Sequence, residues 1–157
     1  MEDIMDTQQM TAMQIIDEYR NDIIKLSSYL TWLYEKSGKR VVQIYKQEGI
    51  AAHSLSFPVY DSNLLRFVND ASQTKFMDKN YSYVYSRLRM KNADDEMEQI
   101  HKATILQMNI LGGILSKYVL GGRTKARLWN EGLENGVFME LVEKAKELNE
   151  FWENTRG

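Results

Sequence analysis

Residues Lys117–Trp129 read Lys-Tyr-Val-Leu-Gly-Gly-Arg-Thr-Lys-Ala-Arg-Leu-Trp, and the rest of the chain is arranged around them. An apolar helix ends at Gly121-Gly122, where two glycines allow positive φ angles and a tight turn. Thr124 is a favourable N-cap for the helix that follows. The stretch therefore predicts a helix–turn–helix, with cations crowded around the start of the second helix.

The segment before this turn is the most apolar of the sequence, and it predicts one central core helix. The helix is expected to begin at Asp94-Asp95-Glu96, where acids favour the positive end of the helix dipole, and to run to about Val119. Gly112-Gly113 inside it cost about 2 kcal/mol relative to two alanines. We interpret this pair as a close approach by a neighbouring helix, with a kink as the alternative.

After the turn, Lys125–Glu134 predicts a short helix that Asn135-Gly136 ends. An amphipathic pattern then predicts a last helix over Val137–Asn154, with Phe151-Trp152 on its inner side.

The N-terminal part predicts a long helix from Thr7 or Thr11 to Lys36. Its apolar residues alternate three and four apart, which is a heptad seam: Ile16, Tyr19, Ile23, Leu26, Leu30 and Leu33. Packing within the domain is one interpretation of this seam, and dimerisation is the other.

The middle of the chain predicts a β-hairpin and two short helices. Arg40–Lys46 is rich in β-branched and aromatic residues, and Glu48-Gly49 can turn it back into Ile50–Phe57. Asp61 or Ser62 caps the first helix and Asp78 the second. The buried face of the first helix is expected to hold Leu64, Leu65, Phe67, Val68 and Ala71.

Together these elements predict a mainly α, single-domain helical bundle over residues 1–157. Residues 1–37 form the N-terminal helix, 39–57 the hairpin and 58–157 the helical core. A length of 157 residues suits one domain, and the absence of cysteine fits a reducing cytoplasm. No apolar run approaches the roughly 20 residues of a membrane span, and the acidic start does not resemble a signal peptide.

The net charge of −2 hides a segregation of charge along the chain. Residues 99–130 contain no acid and five cations, whereas residues 131–157 contain seven glutamates. Charge pairing across the fold explains this pattern in one interpretation. In the other, the basic region is aimed at an anionic partner.

Catalytic and metal signatures are absent from the sequence. His53 and His101 are far apart, so we expect no metal site and no cofactor. The acids Asp94, Asp95, Glu96 and Glu98 fit helix-start electrostatics better than an acid–base pair. No phosphate-binding loop, nucleophile elbow or dinucleotide fingerprint occurs. The sequence therefore favours a protein that is not an enzyme.

A family resemblance rests on four short motifs. They are Pro58-Val59-Tyr60, Phe76-Met77-Asp78, the arginine turn Leu120-Gly121-Gly122-Arg123, and Glu134-Asn135-Gly136-Val137-Phe138. Over about Ser56–Leu148 the chain resembles a family of short bacterial and phage domains of unknown function. The resemblance implies an α-rich fold and points to Arg123, but it supplies no activity. Because the family includes phage-borne members, an inhibitor of a host defence complex is the setting that we expect. Members often carry Arg-Gly-Glu-Arg in the turn, and this chain lacks that glutamate.

These observations predict a non-catalytic binding protein that docks on an acidic or phosphate-bearing partner through a basic helix–turn–helix face. The primary candidate residues are Lys117, Gly121, Gly122, Arg123, Thr124, Lys125 and Arg127. The secondary candidates are Tyr81, Tyr83, Arg87, Arg89 and Trp129. A pocket that sequesters a small anionic ligand such as a nucleotide, and a homodimer through the first-helix seam, are the alternatives. The partner is then a protein, a nucleoprotein or a small anion, and no membrane is involved.

Overall fold

The computed structural model describes residues 2–37, 43–44, 58–59 and 61–156, with side chains described over 11–37 and 61–155. The helices are α1 (Glu2–Ser27), α2 (Leu30–Lys36), α3 (Ser62–Ser72), α4 (Tyr81–Leu88), α5 (Ala93–Lys102), α6 (Met108–Gly121), α7 (Arg127–Glu134) and α8 (Val137–Arg156). A 3₁₀ turn, Ile105–Gln107, precedes α6, and two short strands are β1 (Gln43–Ile44) and β2 (Pro58–Val59). The prediction of a mainly α protein is confirmed.

The predicted single first helix is wrong, because it breaks between Ser27 and Leu30. The Ser28 hydroxyl donates to the Lys25 carbonyl at 2.6 Å, and the Tyr29 amide donates to the Leu26 carbonyl at 3.1 Å, a tighter pattern than an α-helix. The Tyr29 hydroxyl donates to Asp70 of α3 at 2.5 Å. Burial and this hydrogen bond raise the pKa of Tyr29 to about 12.

The heptad seam nevertheless lies on the inner side of α1 and α2. Ile16, Ile23, Leu26, Leu30 and Leu33 are all buried, in the same core as residues of α3, α6 and α8. α1 packs mainly against α8, where Arg20 donates to Glu153 at 2.7 Å. The seam therefore packs within the domain, which is the first of its two interpretations.

The predicted β-hairpin over 39–57 is not supported. The described strands are two residues each and pair antiparallel, Gln43 with Val59 and Ile44 with Pro58. A turn at 48–49 would instead place residue 44 opposite a residue near 53, so this register does not fit the predicted turn. Glu48-Gly49 and the predicted return strand, Ile50–Phe57, lie outside the described residues.

The predicted central helix is divided into α5 and α6, and α6 is the core helix. Thr104 and Gln107 form a capping box, in which the Thr104 amide donates to the Gln107 side chain at 2.9 Å. This cap starts a new helix inside the apolar stretch. α6 contacts α3, α4, α5, α7 and α8, so it lies at the centre of the bundle.

Gly112 and Gly113 lie where α6 meets the segment that leads into α4. A Cβ on Gly112 would lie 2.5 Å from the Phe76 carbonyl oxygen, and a Cβ on Gly113 would lie 3.0 Å from the Val84 side chain. The interpretation of a close approach by a neighbouring helix is confirmed at Gly113, where the neighbour is α4, whereas the neighbour of Gly112 is the non-helical segment at Phe76.

Local signals at the other helix ends are largely confirmed. The Asp61 carboxylate accepts the Asn63 amide at 2.7 Å and caps α3, and Gly136 has a φ of 83° after the last residues of α7. Asp78 accepts the Asn80 amide at 2.8 Å, but Asn80 is the residue at the N-cap of α4.

Two predicted core residues are exposed. Leu65 of α3 is 44% exposed and Phe151 of α8 is 61% exposed. Leu65 follows the buried Leu64 and Phe151 precedes the half-buried Trp152, so in each pair only one of the two apolar residues faces inward.

Candidate binding site at the α6–α7 turn

The turn between α6 and α7 is built from right-handed backbone and not from the predicted positive φ angles. Gly122 has a φ of −66°. The Gly121 carbonyl accepts the amides of Thr124 at 3.2 Å and Lys125 at 3.0 Å, and the Leu120 carbonyl accepts the Arg123 amide at 3.2 Å. These three amides satisfy the last carbonyls of α6, so they do not form a free anion-binding helix start.

Thr124 is not the N-cap that the sequence suggested. Its hydroxyl donates back to the Gly121 carbonyl at 3.1 Å, and α7 begins later than predicted, at Arg127 with Ala126 in the N-cap position. The hydroxyl therefore closes the end of α6 and does not open α7.

Position 122 requires glycine, because the indole of Trp129 occupies the space that a Cβ at this position would need. The indole N–H donates to the Val119 carbonyl at 3.0 Å, and this bond satisfies another carbonyl near the end of α6. Trp129, a secondary candidate, therefore packs against Gly122 and helps to hold the turn.

The side chains from Arg123 to Arg127 are exposed. Arg127 is paired with Glu131 of the same helix at 3.1 Å. Within the described residues, Arg123 and Lys125 form no ion pair with a carboxylate. These two residues therefore supply the unpaired positive charge of the turn.

Lys117 does not belong to this exposed group. Its ammonium lies 3.2 Å from the Oε2 atom of Glu96, a residue of α5 that is 1% exposed. The Tyr85 hydroxyl donates to the same carboxylate at 2.5 Å, and the Tyr118 hydroxyl donates to its other oxygen at 2.5 Å. Asn135 in turn donates to the Tyr118 hydroxyl at 3.0 Å.

This Glu96 cluster was missed by sequence reasoning, which treated Glu96 as part of the helix-start electrostatics of α5. Its donors come from α4, α6 and the end of α7, so only the tertiary fold brings them together. A buried carboxylate that accepts from three donors has most of its lone-pair sites occupied, which fits a structural role.

We expect the tyrosines of the Glu96 cluster to make stability fall in alkaline solution. Burial, together with the Glu96 charge, raises the pKa of Tyr85 and of Tyr118 above the ordinary 10.0. The folded state then holds both protons after the unfolded chain has lost them, so the contribution is complete below pH 10 and declines above it. Urea unfolding from about pH 9 to 11 measures this. A Tyr85→Phe variant should show a shallower decline, and an identical pH slope would contradict the assignment.

The secondary candidates on α4 lie partly on the surface. Tyr83 is 68% exposed, and the Arg87 guanidinium lies 6.0 Å from the centre of its ring. Arg89 is exposed and ends α4 with a φ of 55°. Tyr81 is half-buried, and its hydroxyl would lie 3.4 Å from a Cβ on Gly121. Of the secondary candidates on α4, the structure brings only Tyr81 to the turn.

The turn is bordered by a second element, α3, which the sequence did not indicate. Arg123 and Trp129 line a cavity of about 260 Å³ together with four residues of α3: Leu65, Val68, Asn69 and Ser72. The exposed Leu65, expected in the core, lies in this wall. We call this space, with its six lining residues, the α3 groove.

Two further cavities in the described part of the chain are acidic. One of about 280 Å³ is lined by His101, Glu140, Glu143, Lys144 and Glu147. The other, of about 420 Å³, is lined by Glu131, Glu134 and Asn135. Their carboxylates disfavour an anionic ligand such as a nucleotide.

His101 pairs with Glu140 at 3.2 Å, and His53 lies outside the described residues. Over residues 11–37 and 61–155, no three His, Cys, Asp or Glu side chains are grouped so that they would hold a metal ion. No described helix combines the length and the apolarity that crossing a membrane requires.

Comparison of the chain with protein-family models, with curated proteins and with solved structures gives no match. The resemblance to short bacterial and phage domains, and the expected setting in host defence, therefore stay predictions.

Proposed function

We propose that this chain is a non-catalytic binding protein that docks on an acidic or phosphate-bearing partner through the α6–α7 turn. The observation that carries the proposal is the pair Arg123 and Lys125, which are exposed and have no carboxylate partner among the described residues. Unpaired cations on a surface raise the local concentration of anionic partners and speed their association.

The backbone of the turn supports this use because it fixes the positions from which the Arg123 and Lys125 side chains extend. Four hydrogen bonds close it on the end of α6, three from backbone amides and one from Thr124, and the Trp129 indole packs beneath it. A binding group held in advance loses less conformational entropy when the partner arrives. The guanidinium of Arg123 can also bind a carboxylate or a phosphate through two parallel hydrogen bonds.

The described residues favour this proposal over the two alternatives. A small-molecule site usually measures roughly 300–1,000 Å³, and the cavity that Arg123 lines is slightly smaller, at about 260 Å³. A homodimer through the first-helix seam would need an exposed apolar surface. The aliphatic residues of the seam are instead buried inside the chain.

Reversing the charge of Arg123 and Lys125 is expected to weaken partner binding at least tenfold and to leave the fold intact. Arg127 is left unchanged, because Glu131 already neutralises it. The test selects ligands on the parent protein from a random-peptide library and from a single-stranded oligonucleotide library. It then measures the affinity of the selected probes for Arg123→Glu/Lys125→Glu by fluorescence anisotropy. Affinity should also fall between about 0.01 M and 0.1 M salt, as the Debye length shrinks from roughly 30 to 10 Å.

The matched control is Lys36→Glu/Lys102→Glu, which makes the same change of charge at two cations of other helices that have no ion pair among the described residues. It should bind the probes nearly as the parent does. A third variant, Arg87→Glu/Arg89→Glu, tests the α4 surface. If the turn variant melts like the parent and binds every probe with unchanged affinity, the proposal is wrong; loss of binding in the α4 variant alone would place the site at Tyr83 and Arg87.

A further inference from the structure

We infer that the α3 groove receives an apolar side chain of the partner, so that the partner is an acidic peptide segment with an apolar residue beside its acidic one. This inference rests on the proposed function, because Arg123 belongs both to the turn and to the groove. It adds the class of the partner and a second, uncharged contact.

The α3 wall of the groove is one continuous face of a helix. Leu65, Val68 and Ser72 follow each other at spacings of three and four residues, so they are neighbours on the helix surface. Leu64, on the adjacent face, is fully buried in the core, whereas Leu65 is 44% exposed. An apolar side chain left open beside a concave space gains from covering by another apolar group.

The opposite wall carries the charge. Arg123 has no carboxylate partner among the described residues, and it lines the same cavity as Leu65 and Val68. A ligand that fills the cavity with an apolar group therefore lies within reach of a guanidinium. Charge complementarity selects a carboxylate next to that apolar group.

The size of the groove fits a side chain better than a whole small molecule. Its volume of about 260 Å³ lies below the usual range for small-molecule sites, roughly 300–1,000 Å³. Trp129, which also lines the cavity, is held by its hydrogen bond to Val119, so this part of the lining is in place before a ligand binds. A preformed cavity for one residue is typical of short-peptide recognition, in which pockets for individual side chains give the specificity.

The test sequences the peptides that the random-peptide library yields on the parent protein. We expect enrichment of acidic peptides in which a leucine, methionine or aromatic residue lies close to the acid. Leu65→Gln should weaken the best peptide about tenfold, equivalent to about 1.4 kcal/mol. Leu106→Gln is the control, because Leu106 is similarly exposed, at 52%, and lies in the 3₁₀ turn before α6. Both variants should melt near the parent, since each replaces an exposed side chain.

The outcomes separate this inference from the proposed function. Acidic peptides without an apolar preference, or peptides that Leu65→Gln binds as tightly as the parent does, overturn the groove and leave the charged turn standing. Oligonucleotides that require Arg123 and Lys125, in the absence of any enriched peptide, overturn the peptide assignment alone. A selection that yields neither an acidic peptide nor an oligonucleotide overturns both.

Discussion

Replacing Glu96 with alanine should destabilise the protein by about 3–5 kcal/mol, which is a large part of the 5–15 kcal/mol typical of a domain. The substitution leaves the hydroxyls of Tyr85 and Tyr118 and the ammonium of Lys117 without their common acceptor. Tyr118 is 2% exposed, so water cannot readily replace the carboxylate there. The loss is electrostatic and steric together, since the cavity left by the side chain also lowers stability.

Urea unfolding at neutral pH measures this effect, and Glu98→Ala is the matched control. Glu98 lies two residues later in α5 and is exposed, so its removal should change stability by less than about 0.5 kcal/mol. Glu96→Gln should fall between the two, because an amide keeps one acceptor oxygen and the shape of the side chain. If the alanine variants at 96 and 98 unfold at the same urea concentration, the Glu96 cluster does not stabilise the fold.

Gly112→Ala should destabilise the protein by about 1–3 kcal/mol, although alanine is the better helix former. Helix propensity alone predicts a gain of about 1 kcal/mol for this change inside α6. The new Cβ, however, would lie 2.5 Å from the Phe76 carbonyl oxygen, and a backbone atom cannot turn away as a side chain can. The two effects have opposite signs, so the sign of the measured change decides between them.

Gly113→Ala provides the comparison within the same helix. Its Cβ would meet the Val84 side chain at 3.0–3.1 Å, and a side chain can shift by a few tenths of an ångström. We expect a smaller loss than at Gly112. A Gly112→Ala protein more stable than the parent would mean that α6 and the Phe76 segment separate at little cost, and thermal or urea unfolding shows this directly.

Features that depend on a few adjacent residues could be predicted from the sequence. Asn135-Gly136 ends α7 because the turn needs a glycine at positive φ, and Asp61 caps α3 through an amide two residues away. The seam of α1 and α2 was also correct as a buried face, since heptad spacing places its residues on one side of a helix. The break at Ser28 was not predicted, because serine and tyrosine both occur inside helices. The contact that accompanies the break is the hydrogen bond from Tyr29 to Asp70, which lies far away in the sequence.

Features that depend on distant residues could not be predicted. Glu96 is one of three consecutive acids at a helix start, and nothing local distinguishes it from Asp94 or Asp95. Its side chain is buried among three donors that come from two other helices, α4 and α6. Leu64 and Leu65 are likewise two identical residues in sequence. Only the placement of α3 beside the turn leaves Leu65 exposed while Leu64 is buried. The candidate site at the α6–α7 turn stays a prediction, and its α3 wall could not be predicted from the sequence.

The pairing of α1 with α8 has a consequence for how the nascent chain matures. The first helix leaves the ribosome early, but Arg20 and the seam residues find their neighbours on α8 only after Val137–Arg156 have been made. At roughly 5–20 residues per second, the part of α1 that packs on α8 waits on the order of ten seconds for that contact. During that interval it is an exposed amphipathic segment, the kind of surface that chaperones bind. The yield of folded protein should therefore depend on chaperone supply and growth temperature, although the core of the folded protein is well packed.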